Sequence, residues 1–97
     1  MEAITVTAIL RAKPGKAQDL REELIKVVEP SRNEPGCLEY ILNESLEDPN
    51  TFVFYERWAN AEAAQAHLDC EHYKEYRIAT EKFIASRDVY RMQPVID

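Results

Sequence analysis

The apolar residues of this chain change their spacing in a fixed order, and few folds accommodate that order. From Ile4 to Ala12 they alternate. Ile4, Val6, Ala8 and Leu10 share one side, Thr5, Thr7 and Ile9 share the other, and Lys13-Pro14-Gly15 ends the run. From Lys16 to about Glu34 the spacing lengthens to three and four residues. Ala17, Leu20, Leu24, Val27 and Val28 form the stripe of an amphipathic helix, with Pro30 marking a bend or an end. Alternation returns from Cys37 to Leu46, with Leu38, Tyr40 and Leu42 opposite Cys37, Glu39, Ile41 and Asn43. After the turn Glu47-Asp48-Pro49-Asn50 it resumes from Thr51 to Trp58, which predicts an antiparallel hairpin. Asn60 is an N-cap for a short helix carrying Ala61, Ala64 and Leu68. A break near Asp69 to Glu71 leads to a second helical stripe of Tyr73, Tyr76, Thr80, Phe83 and Ile84. Arg87 to Ile96 alternates again as a last strand. Strand, helix, strand, strand, broken helix, strand is the split βαββαβ order of ferredoxin-like α+β folds.

Ninety-seven residues suffice for a single domain, 1–97, but leave little chain for a deep private pocket. Twelve Lys and Arg against eighteen Asp and Glu give a net charge of −6, which argues against nucleic acid as a partner. With only two glycines there is no phosphate-cradling glycine loop. No apolar stretch exceeds strand length, so no membrane span is expected, and the N-terminal residues lack the pattern of a secretory signal. Cys37 and Cys70 form no CxxC motif; the expectation is two buried free thiols in a cytoplasmic protein.

A monomeric sheet covered on one face by helices should be polar on the other. Here Ile9, Val53 and Tyr55 lie opposite Val6, Leu10, Phe52 and Phe54. The expectation is a homodimer whose sheets meet across a two-fold axis.

Glu56 stands between Phe54 and Trp58 on an apolar strand face. Such a carboxylate needs a partner or an upward-shifted pKa. Two readings stay open: an internal ion pair with Arg57, Arg87 or Arg91, and a catalytic or substrate-orienting role. Trp58 is core or pocket wall, and buried indole N–H needs an acceptor. His67 and His72 lie in the broken helical region, each either a general base or a structural hydrogen-bonding group. Five residues apart with no third ligand at a recognised spacing, they do not predict a metal site. Tyr73 and Tyr76 read as packing residues, and Asn43 as a strand-end hydrogen-bonding group or a ligand contact. No serine has the context of a nucleophile.

Several of these residues together resemble a known family. Lys13-Pro14-Gly15-Lys16 precedes the first helix, and Glu34-Pro35-Gly36-Cys37-Leu38-Glu39-Tyr40 enters the second strand. Phe54-Tyr55-Glu56-Arg57-Trp58 closes the third, and His67 is followed by His72-Tyr73. The set resembles the antibiotic biosynthesis monooxygenase domain family, especially its small quinol-monooxygenase-like members. The resemblance covers nearly the whole chain. It implies a homodimeric α+β barrel that oxidises a quinol or phenolic aromatic with O₂, without flavin, haem or metal. It also implies a catalytic His67 or Glu56 acting as base, with Trp58 and Asn43 positioning the ring and His72, Phe54 and Tyr73 completing the substrate site. Polyketide-oxidising members carry an Asn where this chain has Phe54, and haem-degrading relatives carry one on the first strand, here Ile4-Thr5-Val6-Thr7. A relative that isomerises a phosphorylated sugar has a segment similar to His67 and His72-Tyr73-Lys74, so an isomerase is one alternative. A noncatalytic small-molecule-binding or stress-response dimer is another.

Overall fold

In the computed structural model, residues 3–96 are described, and they form one antiparallel sheet of order β2-β3-β1-β4. The elements are β1 (Ile4–Ala12), α1 (Ala17–Arg32), β2 (Cys37–Glu44), β3 (Thr51–Trp58), α2 (Ala61–Asp69), α3 (Glu71–Thr80) and β4 (Ile84–Met92). This is the expected ferredoxin-type α+β arrangement. The stripe of α1 buries Leu20, Leu24 and Val27 against Val6, Ala8, Leu10, Phe52 and Phe54 of the central strands. Pro30 does not end α1; the helix continues through it to Arg32, with Ser31 fully buried. Asn60 caps α2 as expected, its side-chain oxygen accepting the Ala63 N–H at 2.8 Å.

Three local expectations are corrected. On β2 the register shifts between Cys37 and Glu39, so Cys37 pairs with Trp58 while Glu39 pairs with Arg57. This bulge puts Cys37 on the helix side and leaves Leu38 half-exposed, reversing the simple alternation at the start of the strand. Phe83 and Ile84 do not continue the last helix. It stops at Thr80, a 3₁₀ turn spans Glu81–Phe83, and Ile84 begins β4. β4 in turn ends at Met92 and not at Ile96. Its last rung pairs Met92 with Thr5, next to the first residue of β1, and among the described residues no further rung follows.

The register fixes which side chains share the helix-covered face. Val6 stands beside Glu56 and Arg91, Ala8 beside Phe54 and Val89, and Leu10 beside Phe52 and Arg87. The opposite face carries Ile9, Val53 and Tyr55, all partly exposed, together with Ile41, Tyr90 and Met92, which are exposed. Cys37 and Cys70 are free thiols, but both are half-buried where full burial was expected. Among the described residues, no helix is long and apolar enough to cross a membrane.

Candidate active site at the α2–β3–β4 face

The site is assembled around Gly36. This residue has φ +86°, and a Cβ added to it would lie 2.6 Å from Cβ of Ala63 on α2. The missing side chain lets the α1–β2 loop press against α2, and just before that helix the Ala59 N–H donates to the Gly36 carbonyl at 2.8 Å. Two residues upstream, Glu34 is thereby brought under the last turn of α2 and the start of α3. Its Oε2 lies 2.7 Å from Nδ1 of His67 and 2.6 Å from Nε2 of His72.

Replacing Gly36 by Ala should therefore destabilise the protein by about 3 kcal/mol, combining left-handed backbone cost with overpacking. Gly15 is the control: its φ is also positive (+78°), but nothing lies within 4 Å. Gly15→Ala should cost only about 1 kcal/mol, and urea unfolding of the two variants side by side measures the difference.

An ionised carboxylate accepts hydrogen bonds and donates none, so both ring nitrogens facing Glu34 carry protons. For His67 this fixes the tautomer: Nδ1 is protonated and the lone pair sits on Nε2. That Nε2 is buried and has no hydrogen-bond partner among the described residues. His67 itself is only 2% exposed, wedged between Trp58 (centroids 4.7 Å) and Tyr73 (4.9 Å). Burial lowers its pKa, opposed by the hydrogen bond and charge of Glu34, so the neutral imidazole is favoured near neutral pH.

His67 lines a cavity of about 50 Å³ together with Glu56, Trp58, Tyr73, Arg87, Val89 and Arg91, among others. Glu56 is buried, and its closest polar partner is the Trp58 indole, whose Nε1 donates to Oε1 at 3.0 Å. None of the three arginines considered from sequence forms an ion pair with it among the described residues. Arg57 pairs instead with Glu39 at 3.5 Å, and Arg87 acts on Glu56 only through its charge. Desolvation pushes the Glu56 pKa up to about 7, against the opposing effects of the Trp58 hydrogen bond and Arg87. Arg87 is anchored by Nη2 donating to the Tyr73 hydroxyl at 2.8 Å, while its buried Nε has no partner among the described residues. The cavity thus gathers a free imidazole lone pair, a carboxyl group near its titration point and an unengaged guanidinium N–H. A larger open depression of about 410 Å³ borders the other side of Arg87, along Arg77, Thr80 and Ile84, but holds no comparable set of buried titratable groups.

The raised Glu56 pKa has a consequence for stability. Its folded-state value lies above the unfolded one, so its contribution is complete below about 4.5 and is lost as pH rises through about 7. The shift corresponds to about 3 kcal/mol. Glu56→Gln should remove this loss, so the variant gains on the parent protein as pH is raised from 4 to 8. Paired urea unfolding across that range checks it. His67 titrates with the opposite sign, and comparison with the variant separates the two.

Of the residues singled out from sequence, His67, Glu56, Trp58 and Tyr73 meet at the cavity. His72 contributes from behind, through Glu34. Phe54 packs in the core against Tyr40 (5.2 Å) and Tyr76 (6.0 Å) and does not line the cavity. Asn43 is not brought to the site. It pairs with Val53 across β2 and β3, which places it on the opposite sheet face, where its amide donates to the Ile41 and Val53 carbonyls. Glu34, Cys70 and a cavity-lining role for Arg87 and Arg91 are additions from the fold. Only the Pro35-Gly36 dipeptide next to Glu34 signalled a special backbone there. Glu34 and Cys70 also supply the two further metal-capable groups that the histidine spacing alone lacked.

A four-stranded ferredoxin-type sheet with a buried His, Glu and Trp under a broken helix defines the structural class, and comparison with known proteins gives the family. Residues 3–78 match the model of the antibiotic biosynthesis monooxygenase family, and the chain belongs to it. It is 32% identical over 75 residues to the uncharacterised protein sll1783 of Synechocystis sp., a match covering 77% of this chain and about half (51%) of that one. It is also 32% identical to YcnE of Bacillus subtilis, which bears a provisional monooxygenase name, over 73% of this chain and 75% of that one. The crystal structure of PA3566 from Pseudomonas aeruginosa superposes with a TM-score of 0.94 at 29% identity, covering 99% of this chain and 97% of that one.

Proposed function

We propose that this protein is a monooxygenase that oxidises a quinol or related electron-rich phenol with O₂, the substrate anion supplying the electrons. The observation that carries this reading is the unpartnered Nε2 of His67 at a cavity that also holds Arg87 and Arg91. In this mechanism Nε2 removes the phenolic proton, and Glu34 holds the ring and stabilises the imidazolium that forms. The ring carbanion form of the phenolate passes one electron to O₂, and the radical pair recombines as a carbon-bound hydroperoxide. Collapse of that intermediate leaves one oxygen atom on the ring and releases the other as water. For a quinol the products are a hydroxyquinone and one water, which balances atoms and electrons. The guanidinium groups of Arg87 and Arg91 offset negative charge on the phenolate and on reduced oxygen. Glu56, near its titration point, can donate to an oxygen during collapse.

The cavity is smaller than the roughly 300 Å³ at which ligand pockets begin, so an aromatic ring must displace part of the wall. The α2 wall suits this, since only Ala64 and His67 of that helix are fully buried. Entry is from the β4 side, where Val89 and Arg91 are exposed. Lys74 is exposed and lines no part of the cavity, so the isomerase alternative gains no support from the geometry. We further infer a cytoplasmic homodimer in which a second copy covers the apolar open sheet face; sedimentation of the parent and a Tyr55→Glu variant reads that state.

Oxygen uptake with chemically reduced naphthoquinones tests the activity. Turnover well above the non-enzymatic rate, in protein freed of metals by chelation, is the expected result. A rate equal to background with folded protein overturns the reading.

A further inference from the structure

The cluster behind His67 has more ligand-capable groups than a base-orienting carboxylate requires. Glu34 comes from the α1–β2 loop, His67 from α2, Cys70 from the α2–α3 junction and His72 from α3. One ligand atom from each lies within 4.8 Å of every other. Cys70 Sγ is 3.2 Å from His72 Nε2 and 3.6 Å from Glu34 Oε2. A tetrahedral zinc ion, with bonds near 2.0–2.3 Å, holds its ligand atoms roughly 3.3–3.6 Å apart. The Cys70–Glu34 distance already matches, and the Cys70–His72 distance falls just short of that range. The two His–Glu34 contacts, 2.7 and 2.6 Å, are shorter because protons now bridge them, and each must open by well under 1 Å. His72 is partly exposed and gives an ion access to the cluster.

From this arrangement we propose a binding site for a zinc-class divalent transition ion formed by Glu34, His67, Cys70 and His72, whose occupation disables His67 as a base. The donor set of one thiolate, two imidazoles and one carboxylate suits Zn²⁺ or Co²⁺ over Mg²⁺ or Ca²⁺. Binding deprotonates the Cys70 thiol, and that proton goes to solvent. Each imidazole remains neutral but gives its lone pair to the ion from the nitrogen now facing Glu34. His67 is then protonated on Nε2, the atom facing the cavity. The lone pair that would take the substrate proton is gone, so the ion inhibits. The inhibitory half rests on the monooxygenase reading; the binding half does not.

The test uses the full chain after EDTA treatment and dialysis, titrated with Co²⁺ and with Zn²⁺. One Co²⁺ per chain should bind with the visible absorption of a tetrahedral site and a thiolate charge-transfer band in the near ultraviolet. Cys70→Ser should lose that band and bind about tenfold or more weakly, and Zn²⁺ should inhibit its turnover correspondingly less than that of the parent. Serine is also a good N-cap, so the start of α3 is preserved. In ¹⁵N spectra of the histidine rings, Zn²⁺ should move the His67 proton from Nδ1 to Nε2 and should suppress turnover in the parent. Absence of stoichiometric binding, a cobalt spectrum unchanged by Cys70→Ser, or a proton remaining on Nδ1 overturns the proposal. The cobalt and ring spectra decide the metal site even if no quinol is turned over, a result that counts against the monooxygenase reading instead.

Discussion

Replacing His67 by alanine should lower kcat/KM for quinol oxidation by roughly 10²–10⁴-fold, the usual contribution of a positioned general base. The expectation follows from three features of one ring: Nδ1 committed to Glu34, Nε2 unpartnered, and a position on the cavity wall. Added imidazole should restore part of the activity, because the deletion leaves a hole beside Trp58 of the same shape. Rescue distinguishes lost chemistry from lost packing, since a small base in solution cannot repair a misfolded core. His67 is fully buried, so the substitution also costs stability, and unfolding curves must confirm that the variant is folded under assay conditions.

Glu34→Gln should reduce kcat/KM by about a hundredfold or more, as loss of the orienting carboxylate does in other histidine dyads. An amide can still accept from His67, but it brings no charge to stabilise the imidazolium. It also leaves two histidine N–H groups competing for a weaker acceptor. The pH profile reports this role directly. Glu34 raises the His67 pKa against the downward pull of burial, so its removal should move the acidic limb of kcat/KM to lower pH. A purely structural contribution of Glu34 would lower activity without moving that limb. Both variants should be assayed in chelated protein, where no ion occupies the cluster.

The face pattern of this molecule is written locally. The alternation in β1 and β3 identified the buried rows Val6-Ala8-Leu10 and Phe52-Phe54-Glu56-Trp58, because both strands are central and have one face pressed on helices. The edges were less legible. The bulge at Leu38 reverses the facing of Cys37 and Leu38 without changing composition. Phe83 and Ile84 prolong a helical spacing that the chain abandons at Thr80. Val95 and Ile96 continue an alternation past Met92, where the β1–β4 ladder stops among the described residues.

The site divides in the same way. Glu56 and Trp58 were visible as polar groups in an apolar row, and His67 as a histidine in a short helix. Glu34 lies 33 residues from His67 and joins it only because Gly36 allows the loop to touch Ala63. No periodicity encodes such a contact. Asn43 keeps the face that its alternation gives and serves as the strand-end hydrogen-bonding group; that face lies away from the cavity, so the ligand contact implied by the resemblance does not form there.

The central claim is that His67, oriented by Glu34, generates a substrate anion that reacts with O₂ in the cavity beside Trp58. A single-turnover reaction of chelated protein with reduced naphthoquinone under ¹⁸O₂ tests it most directly. The account predicts one ¹⁸O atom in the hydroxyquinone and one in water, at a rate that collapses in His67→Ala. Product formed no faster than without protein, or formed equally fast by the folded His67→Ala variant, would contradict it.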